Sequence, residues 1–273
     1  MRGEVGSRIR SRTVRWVAVA AGVAGAVGAV LGAGVAQTSP KPILPDLDQA
    51  TPYSVSVQKR ESGYVLAFAS AAENVGRGPL AIQARRPAGA QAMDATQLVR
   101  RTDGSVVRRP LGRIVRYEHA ETHSHWHLHR FARYELRRAA DRTLARRAIK
   151  QGFCLGDRYD VDRGHRQQGE PARPRWTHEC GRGQRALRYL DEGISPGYGD
   201  DYLPYLEGQH FQLRGLPAER YVLVHRVNPD GVLREASTGN NASSVLLELR
   251  RPAGRAPRVV VLGRCPDSAG CGR

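Results

Sequence analysis

Lysine is scarce in this 273-residue chain: Lys41, Lys59 and Lys150 stand against 40 arginines. Arginine does not give up its proton in a protein, so only these three side chains offer an amine that can become neutral and nucleophilic. Cysteine occupies four positions, and no two are spaced Cys-x-x-Cys, which argues against a thiolate-held metal site. No long helical period and no internal repeat runs through the sequence, so helical bundles and solenoids drop out. Aromatic residues interleaved with the arginines are few, and the net charge of +17 is spread along the whole chain. That charge reads as solubility and association with an anionic cell wall, with no nucleic-acid partner.

What is present begins with a leader. Arg2, Arg8, Arg10, Arg12 and Arg15 precede an apolar run over residues 16–35, and Gly34-Val35-Ala36 puts small residues before Gln37. Residues 1–36 read as a secretory signal peptide. The apolar run is also near the ~20 residues that span a bilayer, which keeps an uncleaved N-terminal anchor open. No Arg-Arg pair precedes it, so twin-arginine export has no signal. Either reading puts the remainder outside the cytoplasm, secreted or anchored, where cysteines pair. Cys265 and Cys271 are close together and are expected to bond, which leaves Cys154 with Cys180.

Residues 37–48 are Pro-rich and read as an extended lead-in to a domain over 49–264, with a Cys-containing tail at 265–273. Strand signals fall at 53–57, 63–69 and 80–84, and at 97–99 and 106–107 around an Asp103-Gly104 hairpin turn. Further strands are expected at 123–136, 209–213, 221–227, 232–235, 243–249 and 259–262, with Asn228-Pro229-Asp230-Gly231 as a turn. Residues 137–150, rich in Ala and Arg, fit a short helix or an irregular connection. Residues 156–195 are polar and read as a long loop, of the kind that carries function. Many short strands with turn signals predict an all-β fold, a β-sandwich with long irregular loops and little helix.

The densest chemical signal is a histidine row. His123, His125, His127 and His129, four of the nine histidines, occupy alternate positions. On a strand, alternate side chains share one face and lie roughly 6.6 Å apart along the chain. Three neighbouring imidazoles can bend onto one ion; four span about 20 Å and cannot. Three ligands and one bystander are therefore expected, holding copper or zinc.

His123-x-His125-x-His127, followed by Phe131, Tyr134 and Leu136, resembles the copper-binding segment of the lysyl oxidase family in its bacterial secreted form. Lys150-Gln151-Gly152-Phe153-Cys154-Leu155 is similar to that family's Lys-x-x-Phe-Cys-Leu. Gly193-Ile194-Ser195-Pro196-Gly197 with Asp200-Asp201-Tyr202 resembles its Gly-x-Ser-Pro-Gly…Asp-x-Tyr, and Asn228-Pro229 with Asn240-Asn241 its closing Asn-Pro…Asn-Asn. The resemblance covers roughly residues 45–250, and the ordered set is far more specific than the histidines alone.

The resemblance implies Cu(II) on three histidines. Spacing to Phe131 favours His123, His125 and His127; His129 is an addition to the family pattern and leaves His125, His127 and His129 as the other choice. It implies a lysine tyrosylquinone, a cross-link here of Lys150 and Tyr202. The partners are then O2 and a primary amine, peptidyl lysine or small, and the products an aldehyde, H2O2 and ammonia. Asp200 or Asp201 is expected either to take the substrate's α-proton or to attract its ammonium, within an acidic stretch that includes Asp191 and Glu192. Animal members carry more cysteines around the site, so bracing here rests on fewer bridges. The alternative is a non-catalytic extracytoplasmic copper- or zinc-binding β-sandwich module. Lys150 and Tyr202 discriminate, because a metal binder needs neither. A wall-adhesion sandwich without metal is disfavoured by the histidine row.

Overall fold

The computed structural model describes residues 39–119, 123–148, 150, 152–161 and 164–272; the expected leader and Gln151 of the Lys150–Leu155 motif lie outside the described residues. Among the described residues there are eighteen strands and no helix. The first six are β1 (Pro42–Ile43), β2 (Leu47–Gln49), β3 (Tyr53–Arg60), β4 (Gly63–Asn74), β5 (Leu80–Arg85) and β6 (Ala92–Arg101). There follow β7 (Val106–His119), β8 (Ser124–His129), β9 (Ala132–Arg138), β10 (Leu144–Arg147), β11 (Gly152–Phe153) and β12 (Tyr159–Asp160). The last are β13 (Tyr189–Ile194), β14 (Tyr198–Tyr202), β15 (His210–Gln212), β16 (Arg220–Val227), β17 (Ala242–Arg250) and β18 (Arg258–Cys265).

Three antiparallel sheets result. One runs β11-β8-β7-β6-β5-β13 with β1 on β6; a second runs β10-β9-β16-β17-β18; the third runs β12-β14-β4-β15 with β2 and β3 also on β4. Residues 65–72 of β4 are buried at every position, the pattern of a strand covered on both faces. Its alanines and Ser70 keep that double packing thin enough to close. β6 instead alternates, with Met93, Ala95, Gln97 and Val99 buried and the intervening positions partly open, as a strand with one core face must. Phe68 of β4 marks the centre of the core, with ring centroids 5.4 Å from Tyr134 of β9 and 5.1 Å from Phe211 of β15. The fold is all-β and sandwich-like, as the short strands predict.

Four local expectations differ. The strand expected over 123–136 is two: β8 ends at His129, Arg130 turns at φ 67°, and β9 begins at Ala132 in another sheet. The described residues of 137–150 contain no helix: β9 ends at Arg138, Thr143 bonds back to Asp141 Oδ1, Arg142 takes φ 64°, and β10 returns along β9. The long polar segment 156–195 is irregular in its middle but ends in β13, which pairs with β5 throughout its length. No strand forms at 232–235, because side-chain amides take the backbone partners a neighbouring strand would supply. Asn228 bonds both N and O of Leu233, and Gln97 bonds both N and O of Arg234. The Asp103-Gly104 hairpin forms as expected, with Gly104 at φ 83°. The disulfides are Cys154–Cys180 and Cys265–Cys271, also as expected. No helix of the described residues is long and apolar enough to cross a membrane.

Candidate metal and cofactor site

β8 lies between β7 and β11, with Glu118 opposite His125, Arg116 opposite His127 and Gly152 opposite His129. Opposed residues of an antiparallel pair share a face, so β7 delivers the Glu118 and Arg116 side chains to the histidine face, where β11 places only the bare Gly152. The reverse face of β8 carries Trp126 and Leu128, both buried. A one-residue slip would exchange these for imidazoles, so the core fixes the register.

His123, His125 and His127 converge. Their ring centroids lie 4.7, 5.3 and 4.4 Å apart, and one nitrogen from each lies within 4.8 Å of the others. His129 is outside this group; its Nε2 lies 2.8 Å from Glu118 Oε1, while His127 Nδ1 lies 2.7 Å from Glu118 Oε2. Contacts with His127 and then His129 hold the Glu118 carboxyl far below the usual range. All three converging imidazoles are pushed down, by burial first, and His125 falls to about 3 with its histidine neighbours adding to the effect. Neutral imidazole is the ligating form. Three uncharged, convergent nitrogens suit a copper or zinc ion.

Gly152 makes this face possible. A Cβ there would stand 2.5 Å from His127 Cβ and 3.0 Å from Glu118 Oε1. Glycine inside a strand marks a close approach of this kind.

Lys150 and Tyr202, 52 positions apart, meet beside the histidines. Lys150 Nζ is 4.9 Å from the Tyr202 ring centroid and 5.0 Å from that of Phe153. Phe153 in turn meets Tyr202 edge-on at 5.0 Å. Tyr202 closes β14, where it pairs with Ser70 of β4, and its hydroxyl donates to Asp200 Oδ2 at 2.7 Å and lies 3.2 Å from the Cys154 carbonyl. The Cys154–Cys180 bridge holds that carbonyl, and Cys180 O accepts from Trp126 N of β8. One short chain of contacts thus ties the histidine strand to the tyrosine. From the other side Gly208, at φ 76°, presses on Lys150: a Cβ there would stand 2.7 Å from Lys150 Cβ.

Burial sets the charges. It pushes the Lys150 amine down, against the pull of Glu118 and Asp200. It pushes the Tyr202 phenol well up, with Asp200 adding to the rise. It lifts Asp200 to about 7, although the Tyr202 hydroxyl and Arg158, whose Nε is 3.5 Å away, oppose it.

All six expected site residues, His123, His125, His127, Lys150, Asp200 and Tyr202, line one cavity, together with Asp201. Glu179, Glu207 and the 71 % exposed Tyr205 also line it. The acidic stretch read from the sequence divides. Asp191 and Glu192 belong to β13 and do not line the cavity; Glu192 is fully buried, accepts from Leu155 N at 2.9 Å, and is pushed up to about 8 by burial. Glu118, Gly152, Glu179 and Glu207 escaped sequence reasoning. Glu118 could have been found by folding residues 106–119 back on the histidine row as a hairpin partner. Nothing local marks Glu179.

Residues 71–252, which hold every side chain of this cavity, match the family model for lysyl oxidase. A search of curated proteins found no match. The match spans well over half of the chain and coincides with the convergent imidazoles and the Lys150–Tyr202 pair, so this chain belongs to the lysyl oxidase family, whose members are amine-oxidase-type oxidoreductases.

Proposed function

We propose that this protein oxidises primary amines, peptidyl lysine or small amines, to aldehydes, with O2 and water consumed and H2O2 and ammonia released. His123, His125 and His127 would hold Cu(II), and Lys150 and Tyr202 would form the lysine tyrosylquinone. The observation that carries the reading is the Lys150 Nζ 4.9 Å from the Tyr202 ring in the cavity lined by the three histidines. A non-catalytic metal module has no use for that pair. Copper and quinone, when present, supply the oxidation of tyrosine and the acceptance of the amine's electrons.

The chain's own groups do the rest. Asp200 and the Cys154 carbonyl orient the Tyr202 ring through its hydroxyl. Burial favours the uncharged Lys150 amine, the form able to add to an oxidised ring. Asp201, Glu179 and Glu207 bring carboxylates that suit an ammonium-bearing substrate to a cavity that Arg158 and Arg182 also line, Arg182 being paired with Glu179 at 2.9 Å. Family membership and the two disulfides fit an extracellular location.

Copper-loaded protein is expected to release H2O2 and ammonia from a primary amine such as an Nα-blocked lysine, and to stain for a redox-cycling quinone. Protein that binds copper on the three histidines yet does neither after aerobic incubation would overturn the reading. Asp200 is the base that takes the substrate's α-proton. It must be ionised to do so, and its carboxyl sits near 7. The rate should therefore fall as pH drops below about 7, and Asp200→Asn should remove that limb with roughly 10²–10⁴-fold of the rate. An unchanged limb in Asp200→Asn would assign the base elsewhere.

A further inference from the structure

Glu118 faces the histidine row from β7, directly opposite His125 in the strand register. Its two oxygens are divided between two imidazoles: a hydrogen bond of 2.7 Å to His127 Nδ1, and a charge contact of 2.8 Å to His129 Nε2 that lacks hydrogen-bond geometry. His127 is the most buried of the converging rings, with only 3 % of its side chain accessible. A ring that gives its Nδ1 proton to a carboxylate keeps the Nε2 lone pair for a metal, and the carboxylate raises that nitrogen's donor strength. The backbone of Gly152 closes over the pair so tightly that no Cβ fits against His127 or Glu118 Oε1. The ring and the carboxylate therefore have little room to rearrange.

We propose that Glu118 is a positioning residue for the metal: it fixes His127 in the tautomer that turns Nε2 to the ion, and His129, the histidine outside the converging group, is the second anchor of that carboxylate. This rests on the reading that His123, His125 and His127 hold the ion. It gives the fourth histidine a part that does not require a fourth metal bond. It also accounts for a glycine at position 152.

The test is Cu(II) competition titration with electron paramagnetic resonance, on the full chain near neutral pH. The proteins are wild type, Glu118→Gln, Glu118→Ala, His129→Ala and His127→Ala, with thermal melts of each metal-free form to establish folding. Glu118→Ala should bind copper about 10–100-fold more weakly, with an altered copper hyperfine splitting. Glu118→Gln keeps an oxygen for His127 Nδ1 but no charge, so it should recover much of the wild-type spectrum at intermediate affinity. His129→Ala should keep the number of coordinated nitrogens while its spectrum moves toward that of Glu118→Ala. If wild type itself binds no copper, the metal reading falls. If wild type binds and loses copper in His127→Ala, but Glu118→Gln and Glu118→Ala match wild type in affinity and spectrum, the role of Glu118 falls alone. Loss of one coordinated nitrogen in His129→Ala would make His129 a ligand and overturn its assignment as an anchor. Should Glu118→Ala fail to fold, Glu118→Gln carries the test by the same readouts.

Discussion

Lys150→Arg and Tyr202→Phe are each expected to reduce amine oxidation to background, a loss of at least ~10⁴-fold, because the two side chains act as one unit. Copper should stay bound in both, since neither change touches an imidazole. Arginine fills much of the same volume, but its guanidinium does not lose a proton and cannot add to an oxidised ring. Phenylalanine preserves the edge-on packing against Phe153 and removes only the hydroxyl. That removal leaves Asp200 Oδ2 and the Cys154 carbonyl short of a donor, which costs about 1–3 kcal/mol and should appear as a modest fall in melting temperature. The informative result is the combination of copper retained, fold retained and quinone stain lost. Stain surviving in both variants would remove Lys150 and Tyr202 from the cofactor.

The second large effect concerns the metal. His125→Ala and His127→Ala should each bring bound copper close to zero per chain, because two imidazoles that remain cannot close the three-nitrogen group. The quinone stain should vanish with the copper, since the oxidation of Tyr202 draws on the metal. The order of the losses separates the two halves of the site: histidine variants lose copper and stain together, whereas the lysine and tyrosine variants lose stain alone. Chelation of the wild-type protein before aerobic incubation should mimic the histidine variants, and chelation afterwards should leave the stain in place. Copper content unchanged in both His125→Ala and His127→Ala would place the metal elsewhere.

Much of this was legible from local pattern. Alternation and turn residues locate most strands, and the histidine row announces its own geometry, because period two on a strand is a property of the backbone. Lys150 stands out by composition, as one of three amines in a chain of arginines. What local pattern alone does not carry is which strands pair and in what register. Glu118 reaches His127 only because the hairpin register sets Glu118 opposite His125. Asp191 and Glu192 look equivalent to Asp200 and Asp201 in a polar stretch. β13 nevertheless runs beside β5 and takes Glu192 into the interior, while β14 runs beside β4 and brings Asp200 to the cavity. The failed strand at 232–235 has a related cause. Its alternation is sound, but Gln97, 137 positions earlier, and Asn228 satisfy its backbone with side-chain amides, so no partner strand is needed.

The most direct measurement is peptide mapping by mass spectrometry on protein loaded with copper and held in air. A single cross-linked species joining the peptide of Lys150 to the peptide of Tyr202 is expected, absent from copper-free protein and from His127→Ala. Fully copper-loaded, folded protein in which both peptides are recovered separate and unmodified would contradict the assignment of the pair.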